Sequence, residues 1–272
     1  MSRSKRSSIA TETVAICEAA RYTTSDGCLV KLSPGIEKAV ADTIIYKPEN
    51  RPKGCFQRGE KTRIVVTAET TVAALLRLNG ESGGHLGCLN FASAKNPGGG
   101  FLGGAEAQEE SLARSSALYP CLLAARDYYD SNRACHSSLY LDLVIWSPSV
   151  PFFRDDRGSL LASPTLASVI TAPAPNAGAV ALNEPQKVLE IESTLKRRAA
   201  FVLAIAAEKE VRRLVLGAWG CGVFRNDPRM VADAFSSLLV GEFADVFDQV
   251  IFAIYDKSPE QAVVKAFAQT LK

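Results

Sequence analysis

The sequence has few histidines, no paired-cysteine motif and no long apolar run. Its two histidines, His85 and His136, lie in no ligand-like pattern, and each is expected to be structural or exposed. The seven cysteines are odd in number and scattered, with no C-x-x-C pair. This argues against a disulfide framework and against a zinc site. We expect buried free thiols in a reducing compartment, and hence a cytoplasmic protein.

No stretch approaches the length of uninterrupted apolar residues that a membrane-spanning helix needs, so no membrane association is expected. Residues 1–8 carry Arg3, Lys5 and Arg6 among serines, with no apolar run behind them. This predicts a disordered basic tail rather than a secretory signal. The formal net charge of +2 is too balanced to indicate a surface for duplex nucleic acid. An acidic polymer could still be bound at a local site.

From Arg63 onward, short apolar stretches typical of strands alternate with stretches of helical periodicity. Residues 147–183 hold several prolines and glycines and predict an irregular excursion. Because no internal repeat and no clear linker occurs, residues 9–272 are expected to form one three-layer α/β/α domain with an N-terminal helical extension. The predicted strands are 63–67, 86–91, 139–146, 214–216 and 250–255; the predicted helices are 9–22, 68–79, 109–126, a long helix opening at Pro185, 228–239 and 259–271.

A glycine-rich segment follows the predicted strand 86–91. Three glycines let a backbone approach a ligand closely and direct several N–H groups at phosphates or hydroxyls. The order of residues fits neither a Walker A loop nor the G-x-G-x-x-G of dinucleotide folds. On the glycines alone, a flexible turn before an acidic helix start explains the segment equally well. The segment reads Asn96-Pro97-Gly98-Gly99-Gly100, then seven residues, then Gln108-Glu109-Glu110.

The two adjacent glutamates indicate a sugar ligand, because beside a phosphate alone they would be repulsive. Glycoside cleavage needs an acid to protonate the leaving oxygen and a base to activate water. Consecutive helical residues diverge by about 100°, so Glu109 and Glu110 cannot flank one bond from opposite faces. One of them is expected to transfer protons while the other orients the sugar.

The run from Leu89 to Gly100, together with Gln108-Glu109-Glu110, resembles the signature of bacterial-type poly(ADP-ribose) glycohydrolases, which are compact macrodomain enzymes. The resemblance implies a mixed central sheet and hydrolysis of the ribose–ribose O-glycosidic bonds of poly(ADP-ribose), mainly from chain ends. ADP-ribose would be released, and the modification of ADP-ribosylated proteins reversed. The resemblance assigns catalysis to Glu110 and ribose binding to Glu109. We expect no metal, no cofactor and a monomer.

A second glycine loop follows the predicted strand 214–216 and precedes a helix with Asp227 as N-cap and Pro228 as first residue. Its N–H groups suit a diphosphate; the alternative is an ordinary connection around a buried Trp219. By the resemblance, Phe224 packs near the terminal ribose. The predicted substrate-binding residues are Asn96, Gly98, Gly99, Gly100 and Gln108 in the first loop and Gly220, Cys221, Gly222, Val223 and Phe224 in the second.

Two other functions would use the same ligand contacts. A non-enzymatic ADP-ribose reader needs the loops but not two sugar-facing acids, so Glu109 and Glu110 favour an enzyme. A hydrolase that removes a single ADP-ribose from a protein needs the same residues as a polymer hydrolase. The sequence does not separate these two activities.

Overall fold

The computed structural model describes residues 1–54, 56–81 and 83–271. The free thiol expected at Cys55 therefore lies outside the described residues. One-turn 3-10 helices lie at Pro48–Asn50, Phe101–Gly103 and Pro185–Lys187. The other elements, in chain order, are α1 (Arg3–Ala19), β1 (Arg21–Thr23), β2 (Leu29–Lys31), α2 (Gly35–Ala41), β3 (Ile44–Tyr46), β4 (Arg63–Thr67), α3 (Thr71–Asn79), β5 (Leu86–Phe91), α4 (Gln108–Ser115), α5 (Leu118–Ala124), α6 (Arg126–Ala134), β6 (Val144–Arg154), β7 (Leu160–Ala172), α7 (Ala177–Asn183), α8 (Glu190–Glu208), β8 (Arg213–Leu216), α9 (Pro228–Leu239), β9 (Gln249–Ala253) and α10 (Ala262–Thr270).

Seven of the strands form one mixed sheet in the order β3-β6-β7-β5-β8-β9-β4. The pairs β7–β5, β5–β8, β8–β9 and β9–β4 are parallel, whereas β3–β6 and β6–β7 are antiparallel. Strands β5 and β8, which lead into the two glycine loops, are thus parallel neighbours. Their carboxyl ends meet at one edge of the sheet, which is where α/β sheets bind ligands.

The sheet is covered on both faces. Along β8, Leu214 and Leu216 pack into one core with α8, α9 and α10. Val215 points the other way, into a second core with α3, α4 and α5. This alternation follows from the period-two geometry of a strand, and the apolar character of both faces buries the sheet between two helical layers. The predicted three-layer fold class with a mixed sheet is confirmed.

The prediction that residues 1–8 form a disordered tail is wrong. Helix α1 begins at Arg3, and the side chain of Ser2 caps it by accepting from the N–H of Lys5. Side chains of these first turns also bond to backbone carbonyls near residue 103. Such long-range contacts stabilise a helix start whose local composition is polar and basic.

The prediction of an irregular excursion at 147–183 is also wrong over most of its length. Strands β6 and β7 form a long antiparallel pair there. Pro148 is tolerated because it lies in a register shift between Ser147 and Val150, where the ladder is interrupted and no donor is required. The predicted helix 109–126 is broken as well, because Ser116 adopts an extended conformation and bridges to Phe152.

The predicted start of the helix after the second loop is confirmed. Asp227 accepts from the N–H of Arg229 at 2.7 Å, and Pro228 is the first residue of α9. Within the described ranges, none of the helices combines the length and apolarity needed to cross a bilayer.

Candidate active site

The carboxyl ends of β5 and β8 open into a cleft of about 1130 Å³. The cleft brings together the predicted site residues of both loops, with one exception. The triple glycine is not part of the cleft lining, and Gly99 lies against the carboxylates of Glu109 and Glu110. The predicted residues that line the cleft are Asn96, Gln108, Glu109, Glu110, Gly220, Cys221, Gly222, Val223 and Phe224.

The triple glycine fixes a carboxylate instead of presenting a row of N–H groups to a ligand. The N–H of Gly99 donates to Asn96 O at 3.0 Å, and that of Gly100 donates to Glu110 Oε1 at 3.0 Å. The expected N–H nest is therefore wrong for these two residues. Gly98 and Gly99 have φ of 68° and 58°, a left-handed conformation that favours glycine. A Cβ at Gly99 would meet the carboxylate of Glu110.

Gln108 fastens the start of α4 to the end of β5. Its Oε1 accepts from the N–H of Phe91 at 2.9 Å. Its Nε2 donates to Leu89 O at 2.8 Å and to Thr71 Oγ1 at 3.1 Å. Both amide donors are used within the protein, so this residue sets the place from which the two following glutamates extend. Its direct contact with substrate stays a prediction.

Glu109 is a buried carboxyl, with only 3% of its surface exposed. Oε2 accepts from the N–H of Ser93 at 2.6 Å, and Oε1 accepts from Asn90 Nδ2 at 3.2 Å. Burial raises the pKa of Glu109 to about 8, and the nearby charge of Glu110 adds to this effect, while hydrogen bonds from Ser93, Asn90 and the Gly98 backbone oppose it. Glu109 is therefore largely protonated at neutral pH.

The raised pKa of Glu109 predicts a specific pH dependence of stability. An unfolded glutamate titrates near pH 4.5, so above that pH the folded state keeps a proton that the unfolded state has lost. The contribution is complete below about pH 4.5 and is lost as the pH rises through about 8. We expect Glu109→Gln, which cannot ionise, to gain stability relative to wild type between pH 5 and 9 in urea denaturation. Parallel pH profiles of the two proteins would contradict this assignment.

Glu110 is half-buried and lines the cleft. Its Oε1 is held by Gly100, whereas its Oε2 has no hydrogen-bond partner among the described residues. One oxygen thus fixes the side chain and the other is left for a ligand. That is the arrangement a group needs in order to exchange protons with a bound substrate.

The second glycine loop differs from the first in the hydrogen-bond partners of its N–H groups. Among the described residues, no group accepts from the N–H of Gly220, Gly222, Val223 or Phe224, whereas that of Cys221 donates to Ala218 O at 3.1 Å. Neighbouring free N–H groups at the edge of a cleft favour an anion such as a diphosphate. Trp219 is buried, as expected for an ordinary connection between a strand and a helix. The loop therefore has a structural role and is also a candidate binding site for a diphosphate.

Hydrogen bonds from Asn226 and Trp219 hold the second glycine loop in place. Asn226 donates its N–H to Gly220 O at 3.1 Å and its Nδ2 to Pro175 O at 2.9 Å. Trp219 Nε1 donates to Ala172 O at 3.1 Å. These bonds fix the loop to the end of β7, and the residues of the loop line the cleft.

Tyr140 and Arg198 were missed by the sequence reasoning. Tyr140 lines the cleft, and its ring centroid lies 6.0 Å from that of Phe224. Its backbone is left-handed, with φ of 60°, and the fully buried Arg198 donates to Leu139 O and Tyr140 O at 3.1 and 3.3 Å. An arginine within the apolar pattern of α8 was the available signal, since a buried guanidinium requires partners.

The histidines are placed as expected. His85 contacts Lys209 O and Ser168 Oγ, and His136 is exposed. The six described cysteines are free thiols, but the expectation that they are buried holds only for Cys88 and Cys121, since Cys28 is exposed and the other three are half-buried. The described residues contain no group of three or more His, Cys, Asp or Glu side chains suited to a metal ion. Independence from metal stays a prediction.

A family model described as the catalytic domain of microbial-type PARG matches residues 10–155. The chain belongs to the microbial-type PARG family. Solved poly(ADP-ribose) glycohydrolase structures support the assignment. The enzyme from Thermomonospora curvata is 47% identical with a TM-score of 0.93, covering 98% of this chain and 99% of that one. The same enzyme bound to the inhibitor ADP-HPD is 48% identical with a TM-score of 0.91, covering 97% and 98%.

The enzyme from Deinococcus radiodurans in complex with ADP-ribose is 49% identical with a TM-score of 0.81, covering 88% of this chain and 98% of that one. No relative was found among curated proteins. The family and the enzyme class predicted from the glycine–glutamate signature are confirmed.

Proposed function

We propose that this chain hydrolyses the ribose–ribose O-glycosidic bonds of poly(ADP-ribose), mainly from chain ends, and releases ADP-ribose. The observation that carries the proposal is the pair of glutamates in one cleft with a free N–H nest. Glu110 leaves one oxygen open to the cleft, and Glu109 lies buried beside it. The nest at Gly222, Val223 and Phe224 suits the diphosphate of the same ligand.

The reaction uses Glu110 as a single acid–base group. Protonated Glu110 gives its proton to the departing ribose 2′-oxygen as the glycosidic bond breaks, leaving an oxocarbenium-like ribose. The Glu110 carboxylate then takes a proton from water, and the resulting oxygen bonds to the anomeric carbon. The neutral carboxyl of Glu109 orients the ribose through its hydroxyls. A diphosphate bound at the second loop would add negative charge that helps to stabilise the positive charge developing on the ribose.

The family contains ADP-ribose-bound structures, and a non-enzymatic reader would use the same cradle. Such a reader has no need for a carboxylate held in place with one oxygen directed at the ligand, so the geometry of Glu110 favours catalysis. Action in the cytoplasm, as a monomer and without cofactor or metal, remains our expectation from the sequence.

Incubation with poly(ADP-ribose), followed by chromatography of the products, tests the proposal. We expect free ADP-ribose to accumulate from the start, with long chains shortening gradually, and EDTA to leave the rate unchanged. Early release of oligomers would contradict cleavage from chain ends. Binding of ADP-ribose without any product would identify a reader. A parallel incubation with a mono-ADP-ribosylated protein shows whether the protein-linked unit is also removed.

A further inference from the structure

Three side chains of the first turns of α1 bind three successive carbonyls of the segment between the triple glycine and Gln108. Ser7 Oγ donates to Leu102 O at 2.7 Å. Arg3 Nε donates to Gly103 O at 2.9 Å, and Arg6 Nε donates to Gly104 O at 2.8 Å. The end of a 3-10 helix leaves carbonyls without partners, and here α1 supplies the donors. We call residues 101–106 the catalytic-loop hinge.

The contact between α1 and the catalytic-loop hinge is close and partly shielded from solvent. Gly104 has φ of 73°, and a Cβ there would collide with the carbonyl of Arg3. The side chain of Arg6 is only 13% exposed and pairs with Glu106 at 2.8 Å. Glu106 also pairs with Lys257 at 3.1 Å. Shielding strengthens such a pair relative to a fully exposed one.

The catalytic-loop hinge connects directly to the group that holds Glu110. The N–H of Ala105 donates to Gly100 O at 3.2 Å, and Gly100 in turn donates to Glu110. Arg114, on the same helix as Glu110, donates to Ala105 O at 2.7 Å. A shift of the hinge would therefore move both ends of the hydrogen bond between Gly100 and Glu110.

We propose that Arg3, Arg6 and Ser7 are positioning residues that hold the catalytic-loop hinge and so fix the carboxylate of Glu110 in the cleft. This inference rests on the proposed function, because it assigns the helix a role in turnover. The family model begins at residue 10, so these three residues lie outside the matched segment. The effect on the reaction passes through the backbone of Gly100.

The test uses an Arg3→Met/Ser7→Ala double variant of the full chain, because Arg6 itself lines the cleft and its loss could alter ligand binding directly. Lys5→Met is the matched control, because Lys5 is exposed on the same helix and makes no side-chain hydrogen bond or ion pair with a described residue. Misplacement of a reacting group by an ångström can cost roughly 100-fold in rate. We expect kcat to fall about tenfold in the double variant, with the Kd for ADP-ribose within about threefold of wild type. Lys5→Met should turn over like wild type.

A second measurement does not depend on activity. Amide hydrogen exchange at residues 99–105 should accelerate in the double variant and not in Lys5→Met. If circular dichroism shows that the double variant is unfolded, Ser7→Ala, which removes one of the three bonds, takes its place.

Wild-type kcat together with unchanged exchange would overturn the inference. Equal losses in kcat and in ADP-ribose affinity would also overturn it, since the changed side chains of α1 would then contribute to ligand binding rather than to the position of Glu110. Inactive wild-type protein would instead refute the proposed function, while the exchange measurement would still decide whether α1 holds the hinge.

Discussion

Glu110→Gln should lower the turnover of poly(ADP-ribose) by about 100- to 10,000-fold, which is the usual contribution of general acid–base catalysis. The amide keeps the size of the side chain and still accepts from the N–H of Gly100, but it cannot exchange a proton at neutral pH. The affinity for ADP-ribose should stay within a few fold, because the N–H groups of the second loop are untouched. Initial rates and ADP-ribose titration of the folded variant provide the measurement.

Glu109→Gln is the informative comparison. Glu109 is buried and largely protonated at neutral pH. The neutral amide of glutamine is therefore a close substitute for this neutral carboxyl, whereas it would be a poor substitute for an ionised carboxylate. Glu109→Gln should lose less turnover than Glu110→Gln, and part of the loss in Glu109→Gln should appear as weaker substrate binding. An active Glu110→Gln enzyme beside an inactive Glu109→Gln enzyme would keep the site and exchange the two roles.

The parts of the fold that could be predicted from the sequence are those set by local physics. Strands β4 and β5 have the predicted bounds because each is a short apolar run between polar or glycine-rich turns. Helix α9 has the predicted bounds, and its start could be predicted because an aspartate cap and a proline determine it. The two glycine loops were placed together correctly because parallel strands precede both.

The parts that could not be predicted depend on contacts between residues distant in sequence. Arg3 and Gly103 are 100 residues apart, so no local pattern shows that the basic start of the chain forms helix against the catalytic-loop hinge. The prolines of β6 suggested irregular structure, and only its pairing with β7 reveals the register shift that tolerates Pro148.

The direction of the N–H groups in the two loops was equally hidden from the sequence. Both loops are rich in glycine, yet two N–H groups of the first are used within the protein, whereas most of those in the second find no acceptor in the described part of the chain. That difference depends on φ and ψ at each glycine and on the position of the glutamates. The sequence shows that a glycine can adopt such angles, but it does not show which group accepts a hydrogen bond from the N–H of that glycine.

Gly99→Ala should reduce turnover by roughly 100-fold, because the added methyl group would occupy the place of the Glu110 carboxylate. The left-handed φ of 58° at this residue also penalises any side chain, by about 1 kcal/mol of stability. Gly80→Ala is the control, since the helix-end Gly80 has a negative φ and its added Cβ would make only an ordinary contact at 3.5 Å. Initial rates and urea denaturation of both variants give the two quantities.

Gly222→Val tests whether the second loop binds the ligand, without changing the position of the Glu110 carboxylate. No atom of the described residues lies within 4 Å of a Cβ built at Gly222, so the variant should fold with wild-type stability. Its branched side chain would stand beside the free N–H groups of the second loop, and ADP-ribose affinity should fall about tenfold, or 1.4 kcal/mol. In Gly99→Ala the loss should instead appear mainly in kcat. Wild-type affinity in folded Gly222→Val would remove the second loop from the binding site, and wild-type kcat in Gly99→Ala would show that the position of Glu110 does not depend on this glycine.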